Sequence, residues 1–224
     1  MPADPSLYER LRTAIMYGGY RPGDVLIETS VAEEFGVSRT PVREAFRRLE
    51  QDGLLQRNGR KLVVHEPTPQ EALEIYDCLT VLEGMAAQWA ARMSTDYDMA
   101  VMRRMHGQMV ELRERNPADM AAMDHAFHVS VWQASHNATL CDLLERLMVH
   151  IRRYPEPAVA QPGRWEEAIQ EHRTILDAIE AGEDVAAKEA SIAHTTSARN
   201  LRLEMITQGS GYGADTPARA QSSV

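Results

Sequence analysis

Four residues in the later part of the chain have the types and spacing to grip a cation: Asp124, His128, His172 and His194. Asp124 and His128 are four positions apart, so on a helix both leave one face about one turn from each other. A carboxylate and an imidazole so placed fill two coordination positions of a divalent ion. His172 sits in Gln170-Glu171-His172-Arg173, and His194 follows 22 residues later. Two antiparallel helices turned near Gly182 bring these two rings level. Three imidazoles and one carboxylate suit zinc first, then nickel or manganese, with positions left for water or a ligand. A lone histidine on a helix is more often an ordinary surface or core residue, so spacing alone leaves both readings open. His125 points ~100° away from Asp124, and His106, His136 and His150 have no matching partners. Trp132, one turn beyond His128, and Arg152, one turn beyond Met148, are candidates to line a pocket for a ligand; plain packing or a surface charge explains them at least as well.

A second constellation lies near the start of the chain. Arg39, Arg43 and Arg47 step by four and make a stripe beside the apolar Val42, Phe46 and Leu49. Ser38 and Thr40 add hydroxyls at the same helix end, where free N–H groups and the positive dipole end suit phosphate oxygens. An arginine fork pairs with guanine O6 and N7 in the major groove. Arg39 and Arg43 are therefore assigned to base edges, and Ser38, Thr40 and Arg47 to phosphate or mixed contacts. Such a stripe is ordinarily a solvated helix face. Here a tight turn precedes it and a basic hairpin tip follows, which favours DNA.

The elements that must position these residues follow from period and punctuation. Leu7, Leu11, Ala14 and Ile15 mark a helix over 6–17, stopped by Gly18-Gly19. A short extended piece, Val25-Leu26-Ile27, leads to a helix over 29–35, capped by Thr29 or Ser30 and ended by Gly36. Ser38 caps a third helix reaching Asp52. Leu54-Leu55-Gln56 and Lys61-Leu62-Val63-Val64 form a hairpin around Arg57-Asn58-Gly59-Arg60. Together these elements predict a winged helix-turn-helix over 1–66. Residues 67–69 read as a linker. From 70 to 208 the period is helical, with breaks near 94–96, 116–117, 136–137, 155–163 and Gly182, which predicts six helices in an antiparallel bundle. Asn137 reads as a helix cap. Gly209 to Val224 is Gly-, Ser-, Ala- and Pro-rich and is expected to be disordered. The fold class expected is mainly α: an N-terminal winged helix-turn-helix plus a C-terminal antiparallel all-α bundle.

Bulk properties agree with a DNA reader whose charge is local. The 224 residues carry a net charge of −9. Residues 1–66 balance ten basic against ten acidic groups, so the excess acid belongs to the rest. Within 39–61 seven basic residues face three acids, a strip suited to phosphate on a molecule otherwise repelled by it. Sequence hydropathy predicts no spanning helix, the start MPADPSLYERLR has no apolar signal core, and Cys78 and Cys141 read as reduced, buried thiols. A cytoplasmic protein is expected.

The run from Phe35 to Leu54, Phe-Gly-Val-Ser-Arg-Thr-Pro-Val-Arg-Glu-Ala-Phe-Arg-Arg-Leu-Glu-Gln-Asp-Gly-Leu, resembles the signature of the GntR regulators. The resemblance implies DNA contacts at Ser38, Arg39, Thr40 and Arg43, and a minor-groove contact from the wing tip Asn58-Gly59-Arg60. Many members carry an arginine where this chain has Thr29. Asp124-x-x-x-His128, Glu171-His172 with Ile175 to Glu183, and His194 resemble the FCD ligand domain of the FadR branch, in its six-helix VanR-like form. The resemblance implies metal coordination by Asp124, His128, His172 and His194. Leu82-Glu83-Gly84 also matches, but Leu79 stands where members often place an arginine for a carboxylate ligand, which weakens the expectation of an organic-acid effector.

The function expected is a metabolite-responsive transcription regulator and repressor, not an enzyme. It is expected to bind a palindromic double-stranded DNA operator as a homodimer, to take a small-molecule effector and a divalent metal, and to have no membrane partner. Two rivals stand beside it. A metal-dependent hydrolase needs a general base, for which Glu171 is expected to point elsewhere on its helix. A DNA-binding protein whose helical domain only dimerises would leave the four cation ligands scattered.

Overall fold

The computed structural model describes residues 5–16, 18–66, 68–152, 154 and 156–208; the tail expected to be disordered, 209–224, lies outside the described residues. The described residues divide into two compact units, one up to residue 72 with 148–152, the other of 73–147 with 154 and 156–208.

In the first unit, α1 (Leu7–Met16), α2 (Glu28–Phe35) and α3 (Arg39–Gln51) surround a three-stranded antiparallel sheet of β1 (Val25–Leu26), β2 (Leu55–Asn58) and β3 (Lys61–Val64). Leu11 and Ile15 of α1, Val31 of α2, and Val42, Phe46 and Leu49 of α3 are all buried and form one cluster with Leu54, Leu55 and Val64. That is the inward face the helical spacing predicts. The extended piece is a real strand: β1 pairs with β3 through Val25–Val63 and Leu26–Leu62. β2 runs to Asn58, which pairs with Lys61, so the hairpin turn shrinks from four residues to Gly59-Arg60. Gly59 takes φ 61°, the left-handed conformation so short a turn requires.

Two caps differ from expectation. α2 starts at Glu28, and Ile27 holds its N-cap position without a side-chain bond, so neither Thr29 nor Ser30 caps it. An acid in the first turn complements the helix dipole instead. Ser38 does hold the N-cap position of α3, with extended backbone, but its side chain makes no capping bond.

The second unit is built from α4 (Pro69–Met93), α5 (Asp96–Glu111), α6 (Pro117–Ala134), α7 (Ala138–Ile151), α8 (Arg164–Glu180) and α9 (Asp184–Thr207), with a short 3₁₀ turn at Ala158–Ala160. These are the six α-helices among the described residues of that region. α4 begins at Pro69, inside the expected linker, where proline suits a first turn. Thr95 and Asp98 form a capping box on α5, Asn116 caps α6, and Asn137 Oδ1 accepts from the Leu140 amide at the start of α7. α5 packs on α6 and α8, and α8 on α9. The core is rich in methionine (Met99, Met102, Met109, Met120) around Phe127, Trp165 and Ile175. The last turn of α7 belongs to the first unit, where Val149 joins the core. Cys78, expected to be buried, is exposed on α4, and Cys141 is half-buried. No helix among the described residues is long and apolar enough to cross a membrane.

Candidate functional site

Asp124 and His128 lie one turn apart on α6, His172 on α8 and His194 on α9. Gly182, at φ 70°, turns the chain between α8 and α9 about midway between the last two histidines, so antiparallel packing brings them level. One ligand atom from each of the four residues lies within 4.8 Å of all the others. The Nε2 atoms of His128 and His194 are 3.2 Å apart, and those of His172 and His194 are 3.3 Å apart. Asp124 closes the group, with Oδ1 3.7 Å from His172 Nε2 and Oδ2 3.9 Å from His128 Nε2. Nitrogens bound to one ion at roughly 2.0–2.1 Å sit about 3.0–3.4 Å from each other in octahedral or tetrahedral geometry. The donor set fits a divalent ion.

The far side of each ring has its own partner. Glu83, 4% exposed, accepts a 2.8 Å hydrogen bond from Trp132 Nε1, and its Oε2 is 3.4 Å from His128 Nδ1. Glu171 Oε2 is 2.6 Å from His194 Nδ1 and accepts from Arg164 Nη2 at 2.6 Å. Glu171 thus meets the back of the His194 ring on the neighbouring helix, on the side away from the other three groups. His172 is completely buried, with Nδ1 3.3 Å from Met109 Sδ and its ring stacked on Phe127 at 4.2 Å. Burial pushes the His128 pKa down, but the charge and hydrogen bond of Glu83, with Asp124, outweigh it and raise the value to about 9. Burial holds His172 well below its usual range, and lowers His194 despite the bond to Glu171. Burial also pushes the Glu171 carboxyl up, but its bonds to His194 and Arg164 prevail and hold it low.

Of the two residues considered for an effector pocket, Trp132 is buried with its N–H spent on Glu83. Arg152 belongs by its contacts to the first unit. His125 faces Glu145 at 3.3 Å, His106 Nε2 bonds the Ile169 carbonyl, and His136 bonds Asp98.

On the first unit, Ser38, Arg39, Thr40, Arg43 and Arg47 are all exposed at the start and along the outer face of α3, and Asn58, Gly59 and Arg60 are exposed at the hairpin tip. A partner that spacing did not reveal joins two of them. The Glu28 carboxylate accepts from Arg39 Nη2 at 2.8 Å and from Arg43 Nε at 2.8 Å. These bonds hold its pKa low. Two other arginines of the basic strip are engaged within the unit: Arg48 lies 3.9 Å over the Tyr8 ring, and Arg57 pairs with Glu50 at 3.0 Å.

Comparison with known proteins accounts for both units. Residues 5–63 match the model of bacterial regulatory proteins of the gntR family, and residues 74–197, more than half of the chain, match the FCD domain. The HTH-type transcriptional regulator YdhC of Bacillus subtilis (strain 168) is 29% identical over 84% of this chain and 85% of its own length. The HTH-type transcriptional repressor RspR of Escherichia coli (strain K12) is 26% identical, covering 91% and 92%. The solved structure of E. coli McbR/YncC has the same fold, with a TM-score of 0.71 at 22% identity, over 91% of this chain and 96% of that one. A gntR-type helix-turn-helix followed by an FCD domain, in a fold shared with a solved relative, leaves one assignment: this chain belongs to the GntR family of transcription regulators, among the members that carry an FCD domain.

Proposed function

We propose that the chain is a metabolite-responsive transcription repressor of the cytoplasm, acting as a homodimer on a palindromic operator, with a divalent ion, zinc first, in its FCD domain. The observation that carries the reading is the meeting of Asp124, His128, His172 and His194 at ion-binding separations inside a chain that also bears a DNA-reading head. The rival in which the helical domain only dimerises needs those four groups scattered.

Each residue has a role in this reading. Arg39 and Arg43 read base edges, Ser38, Thr40 and Arg47 hold phosphates, and Asn58, Gly59 and Arg60 reach the minor groove. The free Ser38 hydroxyl supports its part, because a side chain not spent on capping is available to an oxygen of the backbone of DNA. Asp124, His128, His172 and His194 hold the ion, which when bound offers an electrophilic anchor for an oxygen or nitrogen of the effector. The effector changes operator affinity only by binding two conformations of the protein unequally. RspR bears the name of a repressor, which agrees in sign.

The test is selection of duplexes from a random pool by the full chain, followed by metal analysis of the protein. Recovery of a palindromic sequence and about one divalent ion per chain, lost in His172→Ala, is expected. A pool that yields no preferred duplex removes the DNA reading. A protein that holds no divalent ion removes the metal reading.

A further inference from the structure

Two carboxylates stand behind the ring nitrogens that face away from the cation ligands. Glu83 comes from α4, 49 positions from the Trp132 that donates to it, and lies against His128 Nδ1. Glu171 comes from α8 and meets His194 Nδ1 across the helix pair, braced by Arg164. A neutral imidazole has one N–H and one lone pair. A carboxylate facing Nδ1 keeps the proton there and leaves the Nε2 lone pair for another partner. In both rings Nε2 is the atom turned to the centre, and the two are 3.2 Å apart.

Charge adds an independent argument. Buried charges require compensation. Asp124, Glu83 and Glu171 have side-chain exposures of 19%, 5% and 27%, and the Arg164 guanidinium 5%. Three carboxylates and one guanidinium around three imidazoles, each of which must be neutral to act as a ligand, leave two negative charges in excess. Glu167, 3.7 Å from Arg164, is 70% exposed and solvated. A doubly charged cation makes the set neutral; a singly or triply charged one does not. Gly84 lets α4 supply its acid, because a Cβ there would stand 2.8 Å from Ile192 Cγ1 of α9. The bare glycine permits the close approach that brings Glu83 to its place.

We propose that Glu83 and Glu171 are positioning residues for a divalent cation: they fix His128 and His194 as Nε2 ligands and supply the charge that matches the site to a 2+ ion. This rests on the reading of Asp124, His128, His172 and His194 as the ligands.

The experiment uses the full chain, Zn²⁺, and competition with a chromophoric chelator, together with the histidine ¹⁵N tautomer pattern of the zinc-loaded protein. Glutamine keeps an acceptor oxygen and removes the charge; alanine removes both. Glu171→Gln and Glu83→Gln are expected to weaken zinc binding about 10–100-fold. The ion-free melting temperature should stay within about 3 °C of wild type. Glu171→Ala should weaken binding further and shift His194 away from the Nδ1–H form. If Glu83→Gln does not fold, the Glu171 pair decides alone. Zinc held by Glu171→Gln and Glu171→Ala as tightly as by wild type overturns the proposal. A wild-type chain that holds no Zn²⁺ overturns the ligand reading beneath it, and the proposal falls for that distinct reason.

Discussion

The two units use one chemical device in opposite surroundings. On the DNA head, Glu28 orients Arg39 and Arg43, whose side chains are 56% and 60% exposed. Inside the bundle, Glu83 and Glu171 face His128 and His194, whose side chains are 11% and 6% exposed. Water and salt screen the first clamp, so in the proposed reading its bonds can exchange for phosphate or base edges. Low dielectric strengthens the second and makes an unpaired member costly. The carboxylate proposed to lend its arginines to DNA and those proposed to fix metal ligands differ mainly in how much solvent reaches them.

That contrast breaks most visibly in the interior. His172→Ala removes a proposed ligand and the ring stacked on Phe127, and zinc retention should fall from about one ion per chain to near zero. Ligand at a thousand times its dissociation constant stabilises a fold by roughly 4 kcal/mol. The rise in melting temperature on adding zinc should therefore vanish in this variant, as differential scanning calorimetry will show. On the surface, Arg43→Ala should weaken binding to the selected duplex roughly 10–100-fold while leaving metal content and the far-UV circular dichroism unchanged. Equal loss on random duplex would make Arg43 a phosphate contact instead.

Smaller effects sharpen the comparison. Gly84→Ala overpacks the approach of α4 to α9 and should cost about 1–2 kcal/mol, read by urea denaturation, with zinc affinity falling as Glu83 moves. Glu28→Gln should leave the melting temperature unchanged but lower the ratio of selected to random duplex binding by about tenfold or less. A ratio equal to wild type would show that the surface clamp orients nothing.

Much of this was legible beforehand because it is local. Helical spacing gave α3 its buried and exposed faces, and the i, i+4 relation placed Asp124 beside His128. The acid partners reaching these groups from distant positions were not legible. Glu28 lies 15 positions from Arg43, and Glu171 lies 23 from His194. Glu171 was legible only in part. Adjacent residues differ by ~100° on a helix, which sets Glu171 aside from the target of His172. Its meeting with the back of His194 depends on an antiparallel neighbour broad enough to receive both side chains. The start of α2 was missed because polar Thr29 and Ser30 are good caps in isolation, while Glu28 was already suited to a first turn.

His172 stands apart from its two companions in what restrains it. Behind its ring stand a thioether and the flat face of Phe127, and among the described residues no carboxylate is paired with its Nδ1. If the four groups hold an ion as proposed, the site has two kinds of fragility: the outer histidines depend on a nearby anion, and the middle one on volume. Trimming Phe127 or Met109 should then loosen the grip from that side alone.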